Sequence, residues 1–234
     1  MITIYTIAYN EEVFIKFMID HYKQRFSNCH IVVYDNMSTD NTVKIAKENN
    51  CEVVQYDTNN QINDRKYLEI KNNCWKSAQT DWVLVCDMDE LLEFNEADLL
   101  DEEKNGVTLI KSEGYNMVNM HDNFDLENII HGSRCNPYDK IYAFNKKYIS
   151  DIKYEPGCHK CNPFGKVKYS EKSYLLYHYK CINPDYQAQR YEMYAKRLSQ
   201  ENLKHNWGNH YKQNPEDIKQ QFYLARTYVT RIKQ

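Results

Sequence analysis

Strand-like apolar runs and helix-like periodic stretches take turns through the first half of this chain. ITIYTIAY, from Ile2, has the continuous apolar character of a buried strand. Asn10 is placed to cap a following helix, in which Ile15, Met18, Ile19, Tyr22 and Phe26 recur at helical spacing. HIVVYD forms a second strand, NMSTDNT a turn rich in capping residues, VKIAKENN a short helix and EVVQY a third strand. A polar loop with Asp64 and Arg65 leads into a helix carrying Tyr67, Lys71, Cys74, Trp75 and Ala78 along one side, and WVLVCD is the fourth strand. Such alternation predicts an α/β fold: a mostly parallel central sheet with helices on both faces.

The second half is less regular. VTLIKS, KIYAF and SYLLYHY are expected strands, and residues 113–136 are expected to form a long loop that acts as a lid or substrate loop. From Pro184 the pattern is helical, ending in a helix with Ile218, Phe222, Ala225, Tyr228, Val229 and Ile232 on one stripe. The expected organisation is one domain over 1–182, with halves 1–111 and 112–182, and a helical extension over 183–234.

In sheets of this kind, ligands bind beyond the carboxyl ends of the strands. Those ends hold the distinctive polar residues: Tyr9-Asn10-Glu11, Asp35-Asn36 and Asp87-Met88-Asp89. Asp87 and Asp89 flank a single residue, so an extended backbone points both carboxylates the same way. Two carboxylates together repel unless a cation joins them, and their hard oxygens suit a divalent ion. A charge-rich solvated turn is the plain alternative, and the neighbouring strand ends favour the metal. A calcium loop of the EF-hand type needs Gly at its sixth place, which here is Leu92. The mid-chain position and Leu91 also disagree with an aspartyl-phosphatase motif.

A net charge of -3 excludes a general nucleic-acid binder, which carries a basic surplus. No apolar run approaches the ~20 residues of a membrane helix, and the first residues lack the basic and apolar segments of a secretory signal. A cytosolic protein is expected, with at most peripheral contact at a membrane surface. The eight cysteines fit reduced thiols. Cys158 and Cys161 form a CxxC whose only nearby companions are Cys135 and Cys181, which is thin support for zinc. The 21 tyrosines suit a groove that binds sugars or bases, or reflect compositional bias.

TIAYNEE, VVYDNMSTDNT and DWVLVCDMDELLEF, in that order, resemble the three signature segments of nucleotide-sugar glycosyltransferases with the GT-A fold, in particular glycosyltransferase family 2 and a family 92-like group. The resemblance is strong over residues 1–94. It is fainter over 140–178, where KIYAF, EPGCHKC and LLYHYK look like later family segments. Ile7 departs from the Pro that many members carry. The resemblance implies transfer of a sugar from a UDP- or GDP-linked donor to a glycan or glycoconjugate hydroxyl, with inversion, assisted by Mn²⁺ or Mg²⁺.

It also implies residue roles. Ile7, Tyr9, Asn10, Asp35, Arg65 and Asp87 fall in the nucleotide-sugar site, with Tyr9 beside the base. Asp87, Asp89 and His178 are the implied metal ligands, and Glu90 braces the turn. Asp139 is the expected catalytic base, ahead of Asp151 and Glu155, and Asp89 shares the catalytic role. Trp207, between His205 and His210, is a sugar platform or a helix connector. A sugar-phosphate nucleotidyltransferase would open with a Gly-rich, Arg-bearing loop, and TIAYNEEVF has neither residue. A non-catalytic sugar-binding scaffold has no need of an intact Asp87–Asp89 pair.

Overall fold

In the computed structural model, which describes residues 1–233, the alternation of the first half is realised. β1 (Ile2–Ala8), α1 (Glu12–Arg25), β2 (Cys29–Asp35), α2 (Thr42–Glu48), β3 (Glu52–Gln55), α3 (Asp64–Asn73) and β4 (Trp82–Asp87) follow in turn. The strands pair in parallel, in the order β3-β2-β1-β4. Ile2 to Thr6 in β1 and Trp82 to Cys86 in β4 are buried at successive positions. Side chains alternate in direction along a strand, so both faces of the sheet are covered. Asn10 does not cap α1. It adopts φ 53, its carbonyl oxygen Oδ1 accepts from the Thr39 amide at 2.8 Å, and it ties the first strand end to the loop after β2.

The remaining elements are β5 (Glu90–Leu92), α4 (Glu96–Lys104), β6 (Leu109–Val118), β7 (His131–Arg134), β8 (Ala143–Asn145), β9 (Ile149–Asp151), β10 (Phe164–Gly165), β11 (Tyr169–Cys181), α5 (Pro184–Arg197), α6 (Gln200–Lys204), α7 (Pro215–Ala225) and β12 (Thr230–Arg231). β8 lies antiparallel to β4 and leads to β6, with β7 and β12 at the outer edge. β11 runs parallel to β6 and antiparallel to β5. Most paired residues of this sheet run parallel. Asparagines open several helices: Asn63, Asn95, Asn183 and Asn214 each accept a backbone N–H of the first turn.

Two expectations change. The long loop over 113–136 narrows to the connection between Val118 and His131, because β6 continues through it and β7 returns. Those residues alternate between buried and half-buried, and a distant partner, β11, supplies their ladder. The last helix stops at Ala225, and Thr230–Arg231 pairs with the edge strand β7. Ile218 and Phe222 are buried, whereas Tyr228 is 70% exposed. Gln234, the end of the expected helical extension, lies outside the described residues. Among the described residues, no helix is long and apolar enough to cross a membrane.

Candidate active site

A cleft of about 510 Å³ opens where β1 and β4 end, and α5 crosses its mouth. Asp87 stands at the end of β4. Lys71, from α3, donates to its Oδ1 at 2.5 Å, the Tyr142 hydroxyl oxygen lies 3.0 Å from its Oδ2, and Lys140 lies 3.7 Å away. Burial opposes the charge of Asp87, but Lys71 and Lys140 outweigh it and hold the carboxyl well below its ordinary range. Lys140 also donates to Glu90 Oε1 at 2.7 Å, and Tyr142 to Glu90 Oε2 at 2.6 Å. Glu90 is 4% exposed, and its pKa is pushed up to about 7 by burial; Lys140 offsets this in part, and Asp87 and Asp89 add to it.

Ligand atoms of Asp89, Glu90 and His178 all lie within 4.8 Å of one another. The β11–β6 register sets His178 opposite Asn116, whose Oδ1 is 2.8 Å from His178 Nδ1. An acceptor at Nδ1 puts the proton there and leaves the Nε2 lone pair free. Burial, with Lys140, Lys180 and Arg190, holds the imidazole neutral by moving its pKa well below the ordinary value. Tyr138 stacks on the ring at 4.1 Å. Gly114 makes room for Tyr138, since a Cβ there would lie 2.4 Å from the Tyr138 Cβ. Two carboxylates and a neutral imidazole suit Mn²⁺ better than Mg²⁺, which prefers oxygen ligands. Each carboxylate oxygen has more than one lone pair, so the Lys140 and Tyr142 bonds leave Glu90 able to share an ion.

α5 contributes the cations of the cleft mouth. Arg190 donates to Asp89 Oδ2 at 3.1 Å and to Glu11 Oε1 at 2.7 Å, and Tyr194 donates to the same Glu11 oxygen at 3.1 Å. Glu11 Oε2 is buried without a partner. Burial pushes the Glu11 pKa up to about 7, with Arg190 lowering it and Asp89 raising it. At the last residue of the helix, the Arg197 guanidinium lies 3.1 Å from the centroid of the Tyr9 ring.

The residues singled out by sequence divide into two groups. Ile7, Tyr9, Asp87, Asp89 and His178 line the cleft. Asn10 and Asp35 do not. Asp35 is fully buried and accepts the Ser38 amide at 3.1 and 3.3 Å. Arg65 pairs with Glu201 on the surface, its side chain 71% exposed, outside the cleft lining. Asp139 also lies outside the cleft lining: its oxygens accept from the Gly114 amide at 2.9 Å and from Arg134 at 2.6 Å. Asp151 and Glu155 lie outside the lining too. In place of Asp87, Glu90 joins Asp89 and His178 in the metal-capable group, because Asp87 faces two lysines. Among the described residues no cysteine enters a metal-capable group, and Cys158 and Cys161 are free thiols. The sequence assigns no site role to Lys71, Asn116, Lys140, Arg190 or Arg197; Lys71 shares a helix side with Trp75, and the other four look solvated until their tertiary neighbours are known.

Comparison with known families bears on the half of the sheet that carries the acidic corner. Residues 3–102 match the model of glycosyl transferase family 2. That family 2 span runs from β1 into α4 and includes Tyr9, Asp35, Asp87 and Asp89. Its model answers the family 2 part of the resemblance and not the family 92-like part. No curated protein matches the chain. Among solved structures, S. aureus TarS is similar at 16% identity and TM-score 0.44, over 83% of this chain and 39% of that one. The S. aureus TarS 1–349 complex with UDP-GlcNAc is similar at 17% identity and TM-score 0.43, over 97% of this chain and 72% of that one. Glucosyl-3-phosphoglycerate synthase from Mycobacterium tuberculosis, in complex with Mn²⁺, UDP and glucosyl-3-phosphoglycerate, is similar at 15% identity and TM-score 0.42, over 68% of this chain and 62% of that one. The chain thus spans 39%, 62% and 64% of the length of the first three TarS structures it resembles.

Proposed function

We propose that the chain is a metal-dependent glycosyltransferase that moves a sugar from a UDP- or GDP-linked donor to a hydroxyl of a glycan or glycoconjugate, with inversion. One observation carries the reading: Asp89 and Glu90, which follow β4 in the region matched to family 2, converge within 4.8 Å with His178 of β11. These three residues would hold Mn²⁺ or Mg²⁺, which when bound neutralises the negative charge of a departing diphosphate. Lys71 and Lys140 keep Asp87 ionised, ready to accept a hydroxyl of the donor. Asn116 keeps the His178 proton on Nδ1. Arg190 reaches into the same corner and adds a fixed positive charge where anionic phosphate would lie. Asp139 is not carried forward as the base, since both its oxygens are engaged elsewhere.

A hydrolysis screen over UDP- and GDP-sugars tests this. The expected result is slow release of one nucleoside diphosphate with Mn²⁺, stopped by a chelator. Absence of release, together with absence of metal-dependent nucleotide binding, is the behaviour of a scaffold and would contradict the proposal.

A further inference from the structure

Arg197 is 6% exposed, yet both Nη1 and Nη2 are buried with no hydrogen-bond partner. Only Nε is engaged, donating to the backbone O of Asn60 at 3.0 Å and to its side-chain Oδ1 at 3.1 Å. The residue lines the cleft and rests on the face of Tyr9. A buried cation with idle donors is costly, and native structures rarely leave such groups unmatched. The Tyr56 hydroxyl is a second buried polar atom without a partner, and Tyr56 and Tyr67 both feel the Arg197 charge. A ligand with acceptor oxygens completes this corner.

Resting on the glycosyltransferase reading, we propose that Arg197 reads the nucleobase of the donor and selects a keto base, uracil or guanine, over adenine. The guanidinium only donates, so it matches uracil carbonyl oxygens or the O6/N7 edge of guanine. On the same edge adenine offers N7 as an acceptor but a donor at N6, so one Nη group meets a donor and stays unmatched. Helix spacing places the residue at the right end of the donor. Arg190, seven residues earlier, touches Asp89 at the metal-capable corner. Seven residues of α-helix rise ~10 Å, the separation needed between a diphosphate and its base. Tyr9 then supports the base indirectly, as the platform beneath Arg197.

Calorimetric titrations of the full chain with UDP, GDP and ADP, each with Mn²⁺, test this. The wild type is expected to bind the tighter of UDP and GDP better than ADP by roughly 5- to 150-fold, the size of one bidentate contact. Whichever of UDP and GDP is tighter names the base. Arg197→Met keeps the apolar stem and removes the buried charge, and Arg197→Lys keeps the charge without the planar fork. Each is expected to bring the ratio toward one with ADP affinity little changed. Equal binding of all three nucleotides by the wild type overturns the inference, as does an unchanged ratio in folded Arg197→Met. Uniform weakening of all three in both variants also overturns it, and assigns Arg197 to phosphate. A wild type that binds none of them with metal removes the glycosyltransferase reading itself.

Discussion

Asp87 and Asp89 are separated by one residue, yet their neighbours differ. Lys71, Lys140 and Tyr142 enclose Asp87, while Asp89 meets Arg190 and stands in the group with Glu90 and His178. Asp89→Ala should therefore lower metal-dependent turnover by on the order of 10²–10³-fold, the loss typical when a transition-state stabiliser is removed. Circular dichroism should match the wild type, because Asp89 sits at a strand end and not in the core. Normal turnover in that variant would contradict the metal assignment. Glu11 makes a second prediction. Its folded pKa, about 7, lies above the ordinary 4.5, so the folded state holds the proton more tightly. That contribution to stability is complete below about pH 4.5 and is lost as pH rises through about 7. Glu11→Gln stays neutral throughout. The melting-temperature difference, variant minus wild type, should grow from pH 5 to pH 8 in scanning calorimetry. Buried His21 and His178, with lowered pKa values, work in the opposite direction but are common to both proteins. A constant difference would show Glu11 ionised across the range.

Between elements, the parallel pairing of β6 and β11 does the most to build the site, since its register sets Asn116 against His178. A slip of one residue in either strand would turn its side chains to the other face and part His178 from Asn116. Asn116→Leu keeps the volume and removes the acceptor that fixes the imidazole. It should weaken Mn²⁺ binding by roughly 10- to 100-fold, the usual loss when a partner of a metal ligand is removed. Wild-type Mn²⁺ affinity in the folded variant would show that Asn116 does not position the ring. This pairing was also the part least visible in sequence. β1, β2 and β4 are legible because each holds a continuous apolar run, and β3 because Val53-Val54 falls between two helical stretches. The first part of β6 is legible in VTLIKS, but from Glu113 the strand mixes Glu113 and Asn116 with apolar residues and its partner lies far along the chain, so that part resembles a loop. α7 was read too long because Val229 and Ile232 continue its apolar spacing beyond Ala225, where the chain instead leaves the helix to reach the edge of β7.

At the scale of the whole molecule, a parallel sheet gathers carboxylates at its strand ends, and a later helix, α5, crosses them with Arg190 and Arg197. Asp87 and Asp89 were legible because a buried strand seldom ends in adjacent charges. The cations of α5 were not, because an Arg on an amphipathic helix has the same sequence signature whether it meets water or a carboxylate. Glu11 and Arg190 are 179 positions apart and meet only through the tertiary fold. Co-crystals with Mn²⁺ and UDP or GDP, read by anomalous scattering, decide whether the acidic corner holds the ion. One manganese peak is expected among Asp89, Glu90 and His178, with the diphosphate against it beneath α5. Nucleotide bound elsewhere, with no manganese at those three residues, would contradict it.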